Sequence, residues 1–522
     1  MKKISVVLLS IVSSFSLFAE IKMPSIFGDN MLLQRNARVK IWGKADANAT
    51  VDVSFAGQKK STKADAKGNW SLKLDKMSAN KNPQEMTISE NGKIGKTIKN
   101  ILVGEVWIAG GQSNMQWNLI KSSNGKKEVA EANNPLIRYY NQNTRILSKT
   151  PEFDSDKGSW AIPSPKNASK YSAVGYLFAK NLQRDLDVPV GIIFTALGGS
   201  KMIAWIPEEK LAENDYTKSV HQNFLEQNAK YSYDDALVEW RKSYEDWTEK
   251  VKKAKAEKKR IPQMPDRPNK LTSIRVPFTP AWLYNAVVAP VASYSVRGVI
   301  WYQGEADSGG LFPTEIASPL GYSLQHFSAQ MELLIKSWRE KFENPNMPFI
   351  QVQLASFSFE DRDWGMTRWE QYQTTKRVPY CYMANIIDCG EEKDIHPKDK
   401  QTVANRISNI ALNKIYGQNK IVAFGPEMTS VKYDGNTAIV SFNTFGQKLV
   451  GKGSPQGFVV KVGKDWKPAK GELMGDKVKV SIDANDEISG VRYLWLSWAR
   501  PNVWLYNESG LPALSFTNEK SN

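Results

Sequence analysis

The chain has 522 residues and a mass of 58.8 kDa, more than one compact core holds, and at roughly 100–200 residues per domain it divides into two to four units. Hydrophobic residues make up 41%, charged residues 24% and aromatics 11%, a globular mixture that excludes disordered, collagenous and polytopic membrane classes. Three His and two Cys are too few for a zinc finger, an iron–sulfur cluster or a disulfide scaffold, so no metal or cofactor is expected and hydrolysis would fall to an oxygen nucleophile.

Residues 1–19 read as an export signal. Lys2 and Lys3 open it, an apolar stretch runs from Ile4 to Phe18, and Leu17-Phe18-Ala19 forms a cleavage site. The stretch is shorter than the roughly 20 apolar residues a membrane span needs and is broken by Ser10, Ser13, Ser14 and Ser16. A periplasmic or secreted protein is expected, with no membrane insertion after signal removal. Removal takes the net charge from +16 to about +14. Much of the excess lies between Arg241 and Lys270, where eleven basic residues meet five acidic ones. The remaining basic residues are scattered without a basic-aromatic RNA-binding pattern, so a solvated helix face is expected and no nucleic acid.

From 20 to 100 the text is short and alternating, as in Val39-Lys40-Ile41-Trp42 and Val51-Asp52-Val53-Ser54-Phe55, with the turn Asp65-Ala66-Lys67-Gly68-Asn69. These features predict a small antiparallel β-sandwich. From 101 to 425, apolar strands (Val103 to Ala109, Val190 to Phe194, Gly298 to Tyr302, Phe349 to Leu354, Tyr382 to Ile387) alternate with helical stretches, which predicts an α/β fold with a mostly parallel sheet. An insertion at about 211–270 carries Leu237, Trp240, Tyr244, Trp247, Val251 and Ala254 on one helical face, followed by Pro262, Pro265 and Pro268 as a stiff return. Cys381 and Cys389 flank one predicted strand, whose span of about 26 Å far exceeds the ~6 Å between bridged Cα atoms, so two free buried thiols are expected. Alternation returns from 426 to 522, a second β-rich unit.

The candidate chemistry lies just past the strands, where ligands bind in open parallel sheets. Ser113 follows Gly110-Gly111-Gln112 on a tight turn; a serine there either caps the next helix or acts as a nucleophile. The turn is not the usual Gly-x-Ser-x-Gly elbow, since Met115 holds the last position. Of three candidate bases, His221 lies in the insertion and His326 in a helical apolar seam. His396 lies in a loop, Asp394-Ile395-His396-Pro397, with a carboxylate two residues before the ring. Gly198-Gly199-Ser200 and Trp301-Tyr302-Gln303-Gly304-Glu305 follow two further strands and could supply a backbone N–H and a side-chain amide.

Gly111-Gln112-Ser113-Asn114-Met115, Gly198-Gly199-Ser200, Trp301 to Glu305 and Asp394 to Pro397, in that order, resemble the signature blocks of SGNH-type hydrolases, specifically the sialate O-acetylesterase family. Ile26 to Arg35, Leu283-Tyr284-Asn285, Leu505-Tyr506-Asn507 and Gly510 to Ala513 extend the resemblance over nearly the whole mature chain. It implies a three-layer α/β/α hydrolase domain with accessory β-sandwich regions at both ends, and an O-acetylated carbohydrate (sialic acid type, or xylan and other plant polysaccharides) as substrate. It further implies Ser113 as nucleophile, His396 as base and Asp394 as acid, with Ser113, Gly199 and Gln303 forming the oxyanion hole. Many relatives place the acid three residues before the histidine, where Lys393 stands, which leaves Asp388 as a second candidate. Asp307 replaces an expected Asn and could repel developing negative charge, which would suit a catalytically impaired carbohydrate-binding protein.

Overall fold

One strand ties the first two regions of the chain together. The computed structural model describes residues 21–272, 274, 276–308, 325–358, 364–451, 453–483, 486–499 and 504–519; the expected export signal at 1–19 lies outside them. Near the start come β1 (Leu32–Gln34), β2 (Val39–Lys44), β3 (Thr50–Phe55), β4 (Gln58–Lys63), β5 (Asn69–Leu74) and β6 (Asn80–Glu90), then the 19-residue β7 (Lys93–Gly111). β2 and β5 form a separate antiparallel pair. β6 lies between β3 and β7 and is antiparallel to both, while β1 runs parallel to β7. The predicted boundary near 100 therefore falls inside a continuous strand.

The second half of β7 is buried from Ile101 to Gly111 because strands flank it on both sides and apolar residues cover both faces. The elements that follow are α1 (Ser113–Gln116), α2 (Gly125–Ala130), β8 (Ile137–Asn141), β9 (Ser159–Ala161), α3 (Ala173–Leu186) and β10 (Val190–Ala196). After the insertion come β11 (Gly298–Tyr302), α6 (Gln325–Lys341), β12 (Phe349–Val352), α7 (Trp364–Arg377), β13 (Cys381–Ala384) and α8 (Lys400–Lys414). The central order is β13-β12-β11-β7-β10-β8-β9. Every pairing along it is parallel except β8–β9, and the antiparallel β6 on the lower part of β7 makes the sheet mixed.

Successive strand residues point to opposite faces, and the cores record this. Ile108, Val299, Trp301 and Phe349 join Phe327, Met331, Leu334 and Trp338 of α6 in one cluster. Trp107, Ala109, Ile300, Tyr302 and Ile350 join Val174, Leu177 and Phe178 of α3 and Val403, Ile407 and Ile410 of α8 in another. Free Cys381 is buried and free Cys389 half-buried.

The insertion forms α4 (Asp215–Ala229) and α5 (Tyr233–Ala256), capped by the side chains of Asn214 and Ser232. The aromatic seam of α5 is covered by the proline segment rather than by another helix: the Trp240 indole donates to Pro265 O at 3.1 Å and that of Trp247 to Pro262 O at 2.9 Å. Only Ala254 of α5 is buried among the described residues.

The C-terminal region places β14 (Glu427–Asp434), β15 (Thr437–Asn443), β16 (Leu449–Gly451), β17 (Phe458–Val462), β18 (Asp465–Pro468), β19 (Lys470–Met474), β20 (Lys477–Ser481), β21 (Ile488–Tyr493), β22 (Leu505–Asn507) and β23 (Phe516–Glu519) in sheets β14-β15-β20-β19, β18-β17-β21-β23 and β16-β22. Among the described residues none of these strands pairs with the N-terminal ones. Ile387 inserts into the C-terminal core, so this region packs beside the loop that leads to His396.

Where β7 passes from one region to the next, the buried Glu105 carboxylate takes hydrogen bonds from Gln34 (3.0 Å), Arg35 (2.5 Å) and Arg297 (2.8 Å). Burial alone would raise its pKa, but Arg297, Arg35 and Gln34 outweigh burial and hold it below the usual value. Glu105→Ala strands two arginines and is expected to lower unfolding stability by about 3–5 kcal/mol in denaturant titrations. Because the folded pKa is depressed, the wild-type contribution is complete above the unfolded carboxyl pKa of about 4.3 and disappears as pH falls through the folded value. The gap between the two proteins should therefore narrow in acid.

Candidate active site

The β7–β11 register places Gly111 opposite Tyr302, and the β7–β10 register places Gly111 opposite Ala196. Three loops thus leave neighbouring strands at the same level. At the end of β7 the backbones approach too closely for a side chain: a Cβ on Gly111 (φ +130) would lie 2.1 Å from Tyr302 O. Gln112 N donates to that same carbonyl at 2.9 Å. Gln112 Oε1 accepts from Gly304 N (3.4 Å) and Ala306 N (3.2 Å), so the turn and the loop after β11 are stitched together. Half-buried Ser113 follows.

The structure brings Ser113, His396 and Asp394 together. Ser113 Oγ and His396 Nε2 are 2.9 Å apart. Asp394 Oδ1 lies 3.4 Å from His396 Nδ1 and accepts the His396 backbone N–H at 2.9 Å, which fixes the ring's approach. Burial lowers the imidazole pKa below its ordinary value; Asp394 opposes that shift and Lys400 reinforces it. A neutral ring whose Nε2 faces a hydroxyl can take its proton. The alternative acid, Asp388, is engaged elsewhere: its carboxylate forms a two-pronged pair with Arg406 at 2.5 and 2.8 Å. His221 lies 3.4 Å from Glu208 and His326 stacks on Tyr216, so neither joins Ser113.

Gly199 comes to the same place. Gly198 N donates to Gln116 Oε1 at 2.9 Å, and a Cβ on Gly198 would sit 3.4 Å from Ser113 Cβ, so the loop after β10 lies against the serine. Gly199 holds φ +73 with open space where a side chain would begin. Among the described residues, the Ser113 and Gly199 N–H groups have no protein acceptor and can donate to an oxyanion. Gln303 is buried beside them, but its NH₂ donates to Ser200 O at 3.3 Å and to Asp307. Asp307 also accepts Met202 N–H at 3.0 Å. The charge expected to face the oxyanion is thus turned toward the Gln303 amide, and Gln303 would have to release one partner to serve as a third donor.

Sequence reasoning passed over four side chains here. Asn114 donates to Glu305 Oε1 (2.5 Å) and Ile395 O (3.0 Å) and accepts from Lys400 Nζ (2.5 Å). Trp117 stacks on the His396 ring, with centroids 5.1 Å apart and planes at 17°. Asn114 and Glu305 sat inside the motifs, and Lys400 opens α8 four residues after His396, but no spacing rule signals that a buried lysine meets an asparagine 286 residues earlier.

Known proteins share this arrangement of chain. A family model described as carbohydrate esterase, sialic acid-specific acetylesterase matches residues 103–261 and 272–417. The sialate O-acetylesterase of Homo sapiens is 26% identical, covering 91% of this chain and 88% of its own; that of Rattus norvegicus is 25% identical, covering 99% and 98%. The crystal structure of a carbohydrate acetylesterase from Xanthomonas citri has a TM-score of 0.77 at 28% identity, covering 96% of this chain and all of that one. This chain accordingly belongs to the carbohydrate esterase family of sialic acid-specific acetylesterases and is a carboxylic ester hydrolase.

Proposed function

We propose that this esterase is exported by residues 1–19 to the periplasm or medium and removes acetyl groups from O-acetylated sugars through an acetyl-serine intermediate. The observation that carries the reading is the 2.9 Å contact between Ser113 Oγ and His396 Nε2, with Asp394 behind the ring. In the first half-reaction His396 Nε2 takes the Ser113 proton as Oγ bonds to the acetyl carbonyl carbon. The Ser113 and Gly199 N–H groups receive the charge that builds on the carbonyl oxygen. Collapse breaks the bond to the sugar oxygen, which leaves with the proton from His396. Water then repeats the sequence on acetyl-Ser113, giving acetate and restoring the serine. An α/β/α layering of the central sheet, with accessory β-sandwich regions at both ends, belongs to the same reading.

Sialic acid esters are the substrates favoured by the names of the mammalian relatives; acetylated xylan is the alternative. Acetate release measured across O-acetylated sialosides, xylans and pectins ranks them, and preference for xylan would replace sialic acid as the substrate.

Ser113→Ala is expected to cut turnover of an activated acetate ester by at least about 10⁴-fold with the fold retained; unchanged turnover would reject the serine route. Asp394→Asn should cost roughly 10²- to 10⁴-fold in kcat. Asp388→Asn should instead cost about 3 kcal/mol of stability by uncoupling Arg406, with kcat changed much less. If Asp388→Asn proves the more damaging to kcat, the assignment of the acid reverses.

The base must be neutral to accept a proton, so kcat/KM is expected to be flat at neutral pH and to fall in acid. With the imidazole pKa depressed by burial, the midpoint of that fall should lie below about 6.5, where a free imidazole titrates. A midpoint above that pH would contradict the arrangement.

A further inference from the structure

We propose that Lys400 is a positioning residue of this hydrolytic site: through Asn114 it locks the loop carrying His396 onto the turn carrying Ser113, and it sets the charge facing the imidazole. The inference rests on the assignment of Ser113 and His396 above.

Lysine is almost never fully buried without a partner, since an ammonium loses its hydration there, yet Lys400 is 0% exposed. Its Nζ is 2.5 Å from Asn114 Oδ1 and faces the rings of Tyr302 (5.3 Å) and Trp117 (5.8 Å). An ammonium can only donate, so it dictates which end of the Asn114 amide it meets. The Asn114 NH₂ must then point the other way, to Glu305 Oε1 and Ile395 O. One amide thereby joins the nucleophile turn, the loop after β11 and the base loop. The Ile395 carbonyl belongs to the peptide that leads into His396, so its hydrogen bond constrains the ring. Trp117, one face of which lies on that ring, has Lys121 Nζ 5.5 Å and Lys400 Nζ 5.8 Å from its centre.

The charges that face His396 are Asp394, Lys400 and Lys121; the titratable groups that face Lys400 include Glu305, Asp394, Glu391 and the Cys389 thiol, whose pKa burial pushes up. Burial pushes the Lys400 pKa down to about 7 against the pull of those acidic groups. In the acid range where His396 titrates, Lys400 is therefore cationic and opposes a second positive charge on the imidazole.

Two full-length variants separate the hydrogen-bonded tie from the charge. Lys400→Gln keeps a donor for Asn114 and loses the cation; Lys400→Met loses both. With 4-nitrophenyl acetate, Lys400→Gln should move the acid midpoint of kcat/KM to higher pH. Lys400→Met should do the same and also lower kcat at least about tenfold, with KM within about twofold, because the base loop loses its registration. Thermal melting by circular dichroism reports whether each variant folds, and Lys400→Gln carries the test if Lys400→Met does not. A midpoint in Lys400→Gln equal to wild type overturns the electrostatic role, and a folded Lys400→Met with wild-type kcat overturns the positioning role. Ser113→Ala, measured alongside, keeps the two levels distinct: undiminished turnover there sinks the serine assignment itself, whereas a strongly impaired Ser113→Ala beside wild-type-like lysine variants sinks this proposal alone.

Discussion

The site depends on how closely three backbones approach at the end of β7. Gly110 lies where a Cβ would be 2.9 Å from the Trp301 ring, and Gly111 where one would be 2.1 Å from Tyr302 O. Those separations are below any real side-chain contact, so the strand can deliver Ser113 between β10 and β11 only if both positions are glycine. Once they are, the Ser113, Gly199 and Gln303 loops emerge side by side with no further constraint than the register of three parallel strands. The His396 loop is the exception. It leaves β13, which is separated from β7 by β12 and β11, and crosses back to the serine.

That crossing explains why the buried polar network lies where it does. A loop returning over two strands arrives with unsatisfied backbone groups and no ladder to join. Asn114 takes the Ile395 carbonyl, Asp394 takes the His396 N–H and Glu391 takes the Lys398 N–H at 2.9 Å. The same loop is braced from outside: Ser358 N donates to Glu392 O and Phe357 N to Ser497 O, both at 3.1 Å. The C-terminal β region thus reaches the base loop through one intervening segment.

The sequence was most legible where local chemistry decides the structure. The apolar runs of β7, β10, β11 and β12 carry the parallel sheet because strands covered on both faces read as uninterrupted hydrophobic text, and the prolines after α5 form the return that covers its indoles. β8 was illegible because Ile137-Arg138-Tyr139-Tyr140 puts a cation inside a strand, although Arg138 is 2% exposed in the structure. The continuity of β7 through residue 100 was equally hidden. Its first half alternates as a half-exposed antiparallel strand and its second half is buried throughout, so the change in pattern reads as a domain boundary although the strand continues past an irregularity at Asn100, where φ is +56 and the register with β6 shifts. In the candidate site, motifs singled out Ser113, Gly199, Gln303, Asp394 and His396. Which carboxylate faces the ring is a tertiary fact, visible only once Arg406 is seen to hold Asp388.

The two aspartates also show why an exposed acid suits the proposed mechanism. Asp388 is mostly buried and needs the Arg406 guanidinium to offset its lost hydration; a carboxylate so neutralised has little field left for a neighbouring imidazolium. Asp394 keeps 40% of its side chain in solvent, needs no cation to offset lost hydration, and lies beside a ring that must become positive for a moment during each half-reaction. Its weaker grip, 3.4 Å from Nδ1, is compensated by the backbone: the Asp394 Oδ1 bond to the His396 N–H closes a short turn that aims the carboxylate at its own histidine. Two residues of separation are enough for that geometry, which makes an acid at the position of Lys393 unnecessary.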